Sequence, residues 1–159
     1  MYLIHHAYLG NDDLEALYNR LVEQDLHQAV FYAGQHQTAG SWVRYVRERC
    51  WAVCIKSDAG IPLAVFWLDG FSGKTAFIHF WIYRGAWRKS NELAKQAIEY
   101  IKECLGDRLT GVIGKTPAAN KAAVAFAIRN GFKELCRVPD ACPVMGGGTS
   151  DAVITYREI

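Results

Sequence analysis

Two short stretches of the sequence contain residue types and spacings that suit chemistry. Arg84, Arg88 and Lys89 place positive charges in the segment between an apolar stretch that ends at Tyr83 and an amphipathic one that begins at Ser90. A turn from a strand into a helix points backbone N–H groups and the positive end of the helix dipole at one spot. Nearby cations add charge-assisted hydrogen bonds. A pyrophosphate would fit there, and the alternative is a solvated basic turn, since short basic turns are common.

His79 is the candidate general base. It alternates with Phe77 and Trp81 along the apolar stretch 75–83, and the ordinary pKa of a histidine, near 6.5, suits base chemistry at neutral pH. The alternative is a histidine packed among aromatic rings. Asp69 is a weaker candidate, because an aspartate in a turn usually bonds its own backbone. The other histidines lie near the N-terminus or in segments without a clear period: His5, His6, His27 and His36.

The cysteines favour free thiols over disulfides. Their number is odd and no C-x-x-C pair occurs, at Cys50, Cys54, Cys104, Cys136 and Cys142. Cys50 and Cys54 would share a strand face and could reach a metal together with a histidine. Buried structural cysteine is much commoner, so we predict no metal site.

Three antiparallel strands are expected to position His79. Side chains alternate in size from Trp51 to Ile55, the turn SDAG follows, and residues 61–68 return as a second strand. A second turn, DGFSGK, leads into the strand 75–83 that carries the histidine.

Helical patterns flank these strands. After a short strand at residues 2–8, Asp12 with Glu15 resembles a capping box, and Ser41 is placed to cap a short helix that runs to Arg49. The first of these helices has an apolar stripe of Leu14, Leu17, Tyr18, Leu21 and Val22. A longer helix starts at Ser90 or Asn91 and is ended by Gly106, and its apolar face consists of Leu93, Ala94, Ala97, Ile98, Ile101 and Leu105.

The last third of the chain returns to strands. Residues 109–114 are predicted to be a strand, Thr116-Pro117 a helix entry, and residues 118–130 a helix that ends at Gly131. Two more strands, 132–138 and 152–156, flank the loop PDACPVMGGG. The predicted order is βααβββαβαββ.

Length and composition predict a single domain over residues 1–159, folded throughout. Eighteen basic against sixteen acidic residues leave a charge of +2, too little for a dedicated nucleic-acid or membrane surface. The N-terminal segment MYLIHHAYLG has no basic stretch before a long apolar core. We therefore expect a cytoplasmic protein.

The order of elements and three local patterns resemble the GNAT superfamily of N-acetyltransferases over nearly the whole chain. Tyr83-Arg84-Gly85 is similar to the start of the family's pyrophosphate motif, and Asn120 with the run AAVAFAIRNGF is similar to its second motif, which ends at Gly131-Phe132. The third pattern is the helix after the basic turn followed by the strand at 109–114. The resemblance implies an α/β domain with a central, mostly antiparallel mixed sheet of about seven strands and helices on both faces.

The resemblance also implies an acyl-CoA-dependent N-acyltransferase that uses acetyl-CoA and acetylates a small-molecule or protein amine. His79 would be its base. Pantetheine would lie between the strands 75–83 and 109–114, and a backbone amide near Phe80–Ile82 would polarise the thioester carbonyl. The amine would enter between the N-terminal helices and the glycine-rich loop. The cofactor contacts would be Phe80, Trp81, Ile82, Arg84, Gly85, Ala86, Trp87, Arg88, Lys89, Ser90, Asn120 and Phe126, although an asparagine at a helix start is more often only a cap.

The sequence departs from the family pattern at three positions. Trp87 and Lys89 stand where the pyrophosphate motif has small residues, and Ala127 stands where a tyrosine general acid is usual. The leaving thiolate would then need water or another proton donor. The alternative function is therefore a catalytically degenerate protein of this fold that acts as a CoA-binding or protein-interaction module.

Two further expectations follow from the resemblance. The run HFWIYRGAW is similar to GNAT-like proteins encoded by bacteriophages and prophages. Members of the family often dimerise through their last strands, which implies a homodimer.

Overall fold

The computed structural model describes residues 1–144 and 147–159. Its strands are β1 (Tyr2–His5), β2 (Trp51–Lys56), β3 (Pro62–Ser72), β4 (Thr75–Ile82), β5 (Gly111–Pro117), β6 (Lys133–Pro143) and β7 (Thr149–Glu158). Its α-helices are α1 (Asn11–Glu23), α2 (His27–Val30), α3 (Ala39–Arg49), α4 (Ser90–Leu105) and α5 (Lys121–Arg129), and short 3-10 helices cover His6–Tyr8 and Arg84–Lys89.

The strands form a seven-stranded mixed sheet in the order β1-β2-β3-β4-β5-β7-β6. The pairs β1–β2, β2–β3, β5–β7 and β6–β7 are antiparallel, whereas β4 and β5 are parallel. The parallel register covers three residue pairs and ends at Phe77–Ile113, although β4 itself continues to Ile82. The predicted seven-stranded mixed sheet with helices is confirmed.

Contacts divide the chain into two compact units, each of which contains part of the β3–β4 hairpin. The first unit comprises Met1–Asp69 and His79–Ser90, and the second comprises Gly70–Ile78 and Asn91–Ile159.

Aromatic side chains dominate the core of the first unit. Trp42, Trp67 and Trp81 are each at most 3% exposed, and the centroids of their ring systems lie 5.0 to 5.4 Å apart. Phe31 contacts all three indoles. Rings of this size bury about 150–250 Å² each, so they hold α3 against β3 and β4.

The second unit is organised around α4 and the strands β5 to β7. The six apolar positions predicted for the buried face of α4 are all buried. Gly111 lies against the ring of Tyr156 across the β5–β7 pair, where a Cβ would collide with the phenol. β6 is one edge strand of the sheet, β1 being the other, and residues 133–140 of β6 are exposed.

Several boundaries predicted at the N-terminal half were wrong. The first strand ends at His5, α1 begins at Asn11, and the amide of Gly10 is capped by the Asp13 carboxylate at 2.9 Å. Thr38 rather than Ser41 caps α3, because its hydroxyl accepts from the Ser41 amide at 3.2 Å. The predicted apolar stripe of α1 is buried except at Val22, which is 40% exposed.

The C-terminal half needs two corrections. Thr116 and Pro117 lie in β5 rather than at a helix entry, because β5 pairs with β7 as far as Pro117–Ala152. The last two strands are longer than predicted, since each pairs with the other well beyond the hydrophobic stretches that indicated them.

Candidate active site

His79 lies within β4 in the first unit, where two neighbours fix its ring. Its Nε2 is 3.1 Å from Oδ1 of Asp69, and its ring stacks on the indole of Trp67, with centroids 5.1 Å apart and an interplanar angle of 16°. The imidazole is about one-third exposed and the carboxylate less so. Among residues 1–144 and 147–159, Nδ1 of His79 has no hydrogen-bond partner.

Asp69 itself is held from a second side. Its Oδ2 accepts a hydrogen bond from the hydroxyl of Tyr45 on α3. The ring of Tyr45 in turn stacks on His36, with centroids 4.1 Å apart. We call these four side chains, His36, Tyr45, Asp69 and His79, the His79 cluster.

The prediction that Asp69 stands in a turn and bonds its own backbone was wrong. β3 continues to Ser72, so Asp69 is a strand residue whose carboxylate is available to other side chains. The hairpin pattern contained a signal for this neighbour, since antiparallel strands bring cross-strand side chains within contact. Tyr45 and His36 come from separate segments, and no local pattern predicts their approach.

His36 has a backbone conformation that is uncommon for a residue other than glycine. Its φ of 53° lies in the left-handed region, which residues other than glycine seldom adopt. Its carbonyl accepts from the hydroxyl of Tyr18 at 2.7 Å. Burial lowers the pKa of His36; the charge of Asp69 raises it and that of His79 lowers it. The His36 ring is therefore neutral at neutral pH.

The basic turn is a 3-10 helix at Arg84–Lys89, and Arg84 is locked into it. Its amide donates to Oε1 of Gln24 and its Nε donates to the Gln24 carbonyl, both at 2.7 Å. The guanidinium lies 5.3 Å above the ring of Trp87, whose indole N–H donates to the Ile82 carbonyl at 2.9 Å. The Arg84 amide is thus taken by Gln24, which the sequence did not predict.

The rest of the turn presents positive charge to solvent. Gly85, Arg88 and Lys89 are exposed, whereas Ala86 is buried. The amide of Ser90 closes the turn on the Trp87 carbonyl, and α4 starts at Ser90. Two exposed cations at the start of a sixteen-residue helix form a donor set that fits a pyrophosphate.

Phe80, Trp81 and Ile82, which follow His79 on β4, have their side chains engaged. The ring of Phe80 stacks on Phe66, with centroids 5.7 Å apart, Trp81 belongs to the aromatic core, and Ile82 is buried. Side-chain contact of a ligand with Trp81 would require the core to open. A contribution of these positions to a site would therefore have to come from their backbone.

In the second unit, Asn120 is the N-cap of α5, because its Oδ1 accepts from the Ala123 amide at 3.1 Å. Phe126 lies on the same helix and is partly buried. The glycine-rich loop, predicted to border the amine, contains residues 145 and 146, which lie outside the described residues.

A separate cleft of about 480 Å³ opens in the first unit between α1 and the start of β3. Its lining includes Asp13, Arg20, Glu23, Lys56 and Pro62. Pro62 is seven residues from Asp69 along β3, which corresponds to about 23 Å in an extended strand. The cleft is therefore distant from the His79 cluster.

Cys50 and Cys54 are unreactive thiols in this arrangement. Burial raises the pKa of Cys50 and that of Cys54 to about 12, so both are protonated thiols at neutral pH. Within residues 1–144 and 147–159, no group of three or more potential metal ligands is present. No helix in this part of the chain is both long and apolar enough to cross a membrane.

Comparison with known proteins gives a family match. A family model described as an acetyltransferase (GNAT) domain matches residues 8–133. No curated protein matches the chain in sequence.

Solved structures share the fold at low sequence identity. Spermidine N-acetyltransferase from Vibrio cholerae, in complex with CoA and spermine, is 13% identical over 98% of this chain and 95% of its own, with a TM-score of 0.79. An acetyltransferase from Salmonella typhimurium that modifies the N-terminal serine of a 50S ribosomal subunit protein is 18% identical over 99% and 94%, with a TM-score of 0.78. RimJ from Mycobacterium smegmatis, in complex with CoA-disulfide, is 14% identical over 94% and 79%, with a TM-score of 0.75.

Proposed function

Because the chain belongs to the GNAT acetyltransferase family, we propose that it transfers an acetyl group from acetyl-CoA to an amine with His79 as the general base. The observation that carries the proposal is the geometry of His79. It stands on the strand that leads into the basic turn, with Nε2 on a carboxylate and Nδ1 without a partner among the described residues.

The basic turn is the proposed pyrophosphate site. Arg88 and Lys89 add to the exposed charge of Arg84, and Gly85 and Ser90 belong to the same turn. Arg84 contacts Gln24 and Trp87, which would hold the turn in shape, and its contact with the pyrophosphate stays a prediction. Asn120 and Phe126 lie in the second unit, and their contact with the cofactor remains a prediction from the sequence.

The chemistry that acetyl-CoA supplies is an acetyl group activated as a thioester. Nδ1 of His79 would take the proton that the amine loses as its nitrogen attacks. A backbone amide near residues 80–82 would donate to the carbonyl oxygen. With Ala127 at the usual position of the acid, water would protonate the thiolate, which leaves tolerably because a thiol has an ordinary pKa near 8.5.

The acceptor is proposed to be a small-molecule amine or a protein N-terminus. Support comes from the two acceptor types named for structures of the same fold, a polyamine and an N-terminal serine. Cytoplasmic location and a phage or prophage origin also remain proposals, and neither identifies an acceptor.

The first test is calorimetric titration of acetyl-CoA and of free CoA. We expect micromolar binding by the wild type. The double variant Arg88→Ala, Lys89→Ala should weaken binding about tenfold, because two exposed charge-assisted contacts contribute ~0.5–1 kcal/mol each. Lys102→Ala, which removes an exposed charge from α4, is the matched control and should bind like the wild type.

Transfer is then measured as CoA thiol released with spermine or with a peptide that has an N-terminal serine. Turnover with either acceptor that is lost in His79→Gln supports the proposal. Binding without turnover on any amine would favour the alternative, a CoA-binding or protein-interaction module. Failure to bind either nucleotide would reject the pyrophosphate site.

We also propose a homodimer formed through β6. This edge strand exposes Leu135 (61%) and Val138 (42%) on a long unpaired edge. Glu134 and Arg137 carry opposite charges three residues apart, so two antiparallel copies of β6 can place each glutamate opposite an arginine of the partner.

A further inference from the structure

The geometry points to Asp69 as the positioning residue for His79, with Tyr45 holding Asp69 in place. This inference rests on the proposed function, because it assigns what keeps the base competent. Neither Asp69 nor Tyr45 would touch the reacting atoms; both would act through the imidazole.

The contact with Asp69 determines which ring nitrogen of His79 carries the proton. A neutral imidazole carries its proton on one nitrogen and accepts with the other. An ionised carboxylate can only accept, so Oδ1 of Asp69 at 3.1 Å requires the proton on Nε2. The lone pair is thereby left on Nδ1, which is the nitrogen that a base needs.

Trp67 and Asp69 together orient the ring of His79. Trp67 lies parallel to the imidazole at 16° and is only 3% exposed, so the buried indole fixes the plane of His79. Asp69 then fixes the rotation within that plane, because its bond is made at the ring edge. Together, the face contact and the edge contact leave the imidazole one orientation.

The carboxylate of Asp69 is itself held in position. Both oxygens of Asp69 are engaged, one by His79 and the other by the hydroxyl of Tyr45. Tyr45 belongs to α3, and Trp42 on the same helix is buried in the aromatic core. Through Tyr45, the position of Asp69 is thus tied to the helix that packs in the aromatic core of the first unit.

The first experiment does not depend on activity. Ring-nitrogen NMR of histidine-labelled protein, with the His79 signal assigned from His79→Gln, should show the Nε2–H tautomer in the wild type. In Asp69→Asn, whose amide can donate to Nε2, the Nδ1–H tautomer should become populated. Tyr45→Phe, which frees one oxygen of Asp69 but keeps the carboxylate, should change the signal less than Asp69→Asn, and the matched control Asp107→Asn, at an exposed aspartate of the second unit, should not change it. A wild-type ring in the Nδ1–H tautomer would overturn the inference.

The second experiment uses the acetyl transfer assay with spermine and with the N-terminal serine peptide. Asp69→Asn should lower kcat about a hundredfold and leave the KM for acetyl-CoA within about twofold. Because Asp69 acts only through His79, adding Asp69→Asn to His79→Gln should cause no further loss. Additive losses, or a fall in kcat with an unchanged tautomer, would reject the positioning role. If the wild type acetylates neither probe, the proposed function fails while the tautomer result still decides the geometry.

Discussion

At the residue scale, two adjacent histidines form a pair that acid should disturb. The rings of His5 and His6 lie 4.3 Å apart, and Nδ1 of His6 accepts from the Ala52 amide at 3.0 Å. Burial is the main cause that lowers the pKa of each; the charge of His6 acts in the same direction on His5, and that of Arg47 does so on His6. The Ala52 carbonyl works in the opposite direction on His6.

The lowered pKa values predict a loss of stability on acidification. Below the ordinary histidine pKa of about 6.5 the unfolded chain binds more protons than the folded one, so the contribution of these groups is present above that pH and is lost as the pH falls through the lowered values. The free energy of unfolding, measured by urea titration, should therefore fall from about pH 7.5 to about pH 5.5. His6→Asn, whose oxygen can still accept from Ala52, should lose less. Equal losses in both proteins would contradict the assignment.

Single residues were predictable where a local pattern contained them. His79 and the exposed charges Arg88 and Lys89 follow from alternation and from the strand-to-helix turn. The contact of Gln24 with Arg84 joins residues sixty positions apart, and the approach of Tyr45 to Asp69 joins two separate elements. Such pairs depend on tertiary packing, which one sequence does not encode in any short window.

At the scale of elements, substitutions at Asn120 test whether this residue caps the N-terminus of α5. Asn120→Ala removes the acceptor for the Ala123 amide and should lower the free energy of unfolding by about 1 kcal/mol. Asn120→Ser keeps a capping oxygen and should stay close to the wild type. Urea titration measures both variants. An alanine variant as stable as the wild type would show that the cap contributes nothing.

The same two variants separate capping from cofactor binding. If Asn120 only caps α5, Asn120→Ser should bind acetyl-CoA like the wild type in calorimetry. Weaker binding by this stable variant would favour a direct contact with the cofactor.

Elements with a strong period were predicted well, whereas the ends of several strands, which depend on pairing, were not. The buried face of α4 follows from a 3.6-residue repeat, and all six predicted positions are buried. Pro117 looked like a helix start because proline suits the first turn of a helix. It lies instead in β5, whose pairing with β7 extends to that residue. The limits of a strand depend on its neighbour, and the neighbour of β5 is a distant segment.

At the scale of the whole molecule, the order of strands and helices was sufficient to predict the fold class. Each pairing lies either between consecutive strands or within the β5–β7–β6 group. Connection rules allow few arrangements of such an order. The order of elements does not predict what contacts the edge of β6, because the backbone groups of an exposed edge strand bond either to water or to another chain.

The exposed edge predicts the assembly state. Light scattering coupled to gel filtration should give a dimer for the wild type and a monomer for the double variant Leu135→Lys, Val138→Lys, because four lysines brought together at a two-fold axis repel. The matched control is Ile128→Lys, which changes a residue of similar exposure on α5 and should leave the dimer intact. A monomeric wild type, or a double variant that still dimerises, would show that β6 faces solvent. The charged residues along β6, which are Glu134, Arg137 and Asp140, would then serve to keep the edge from pairing.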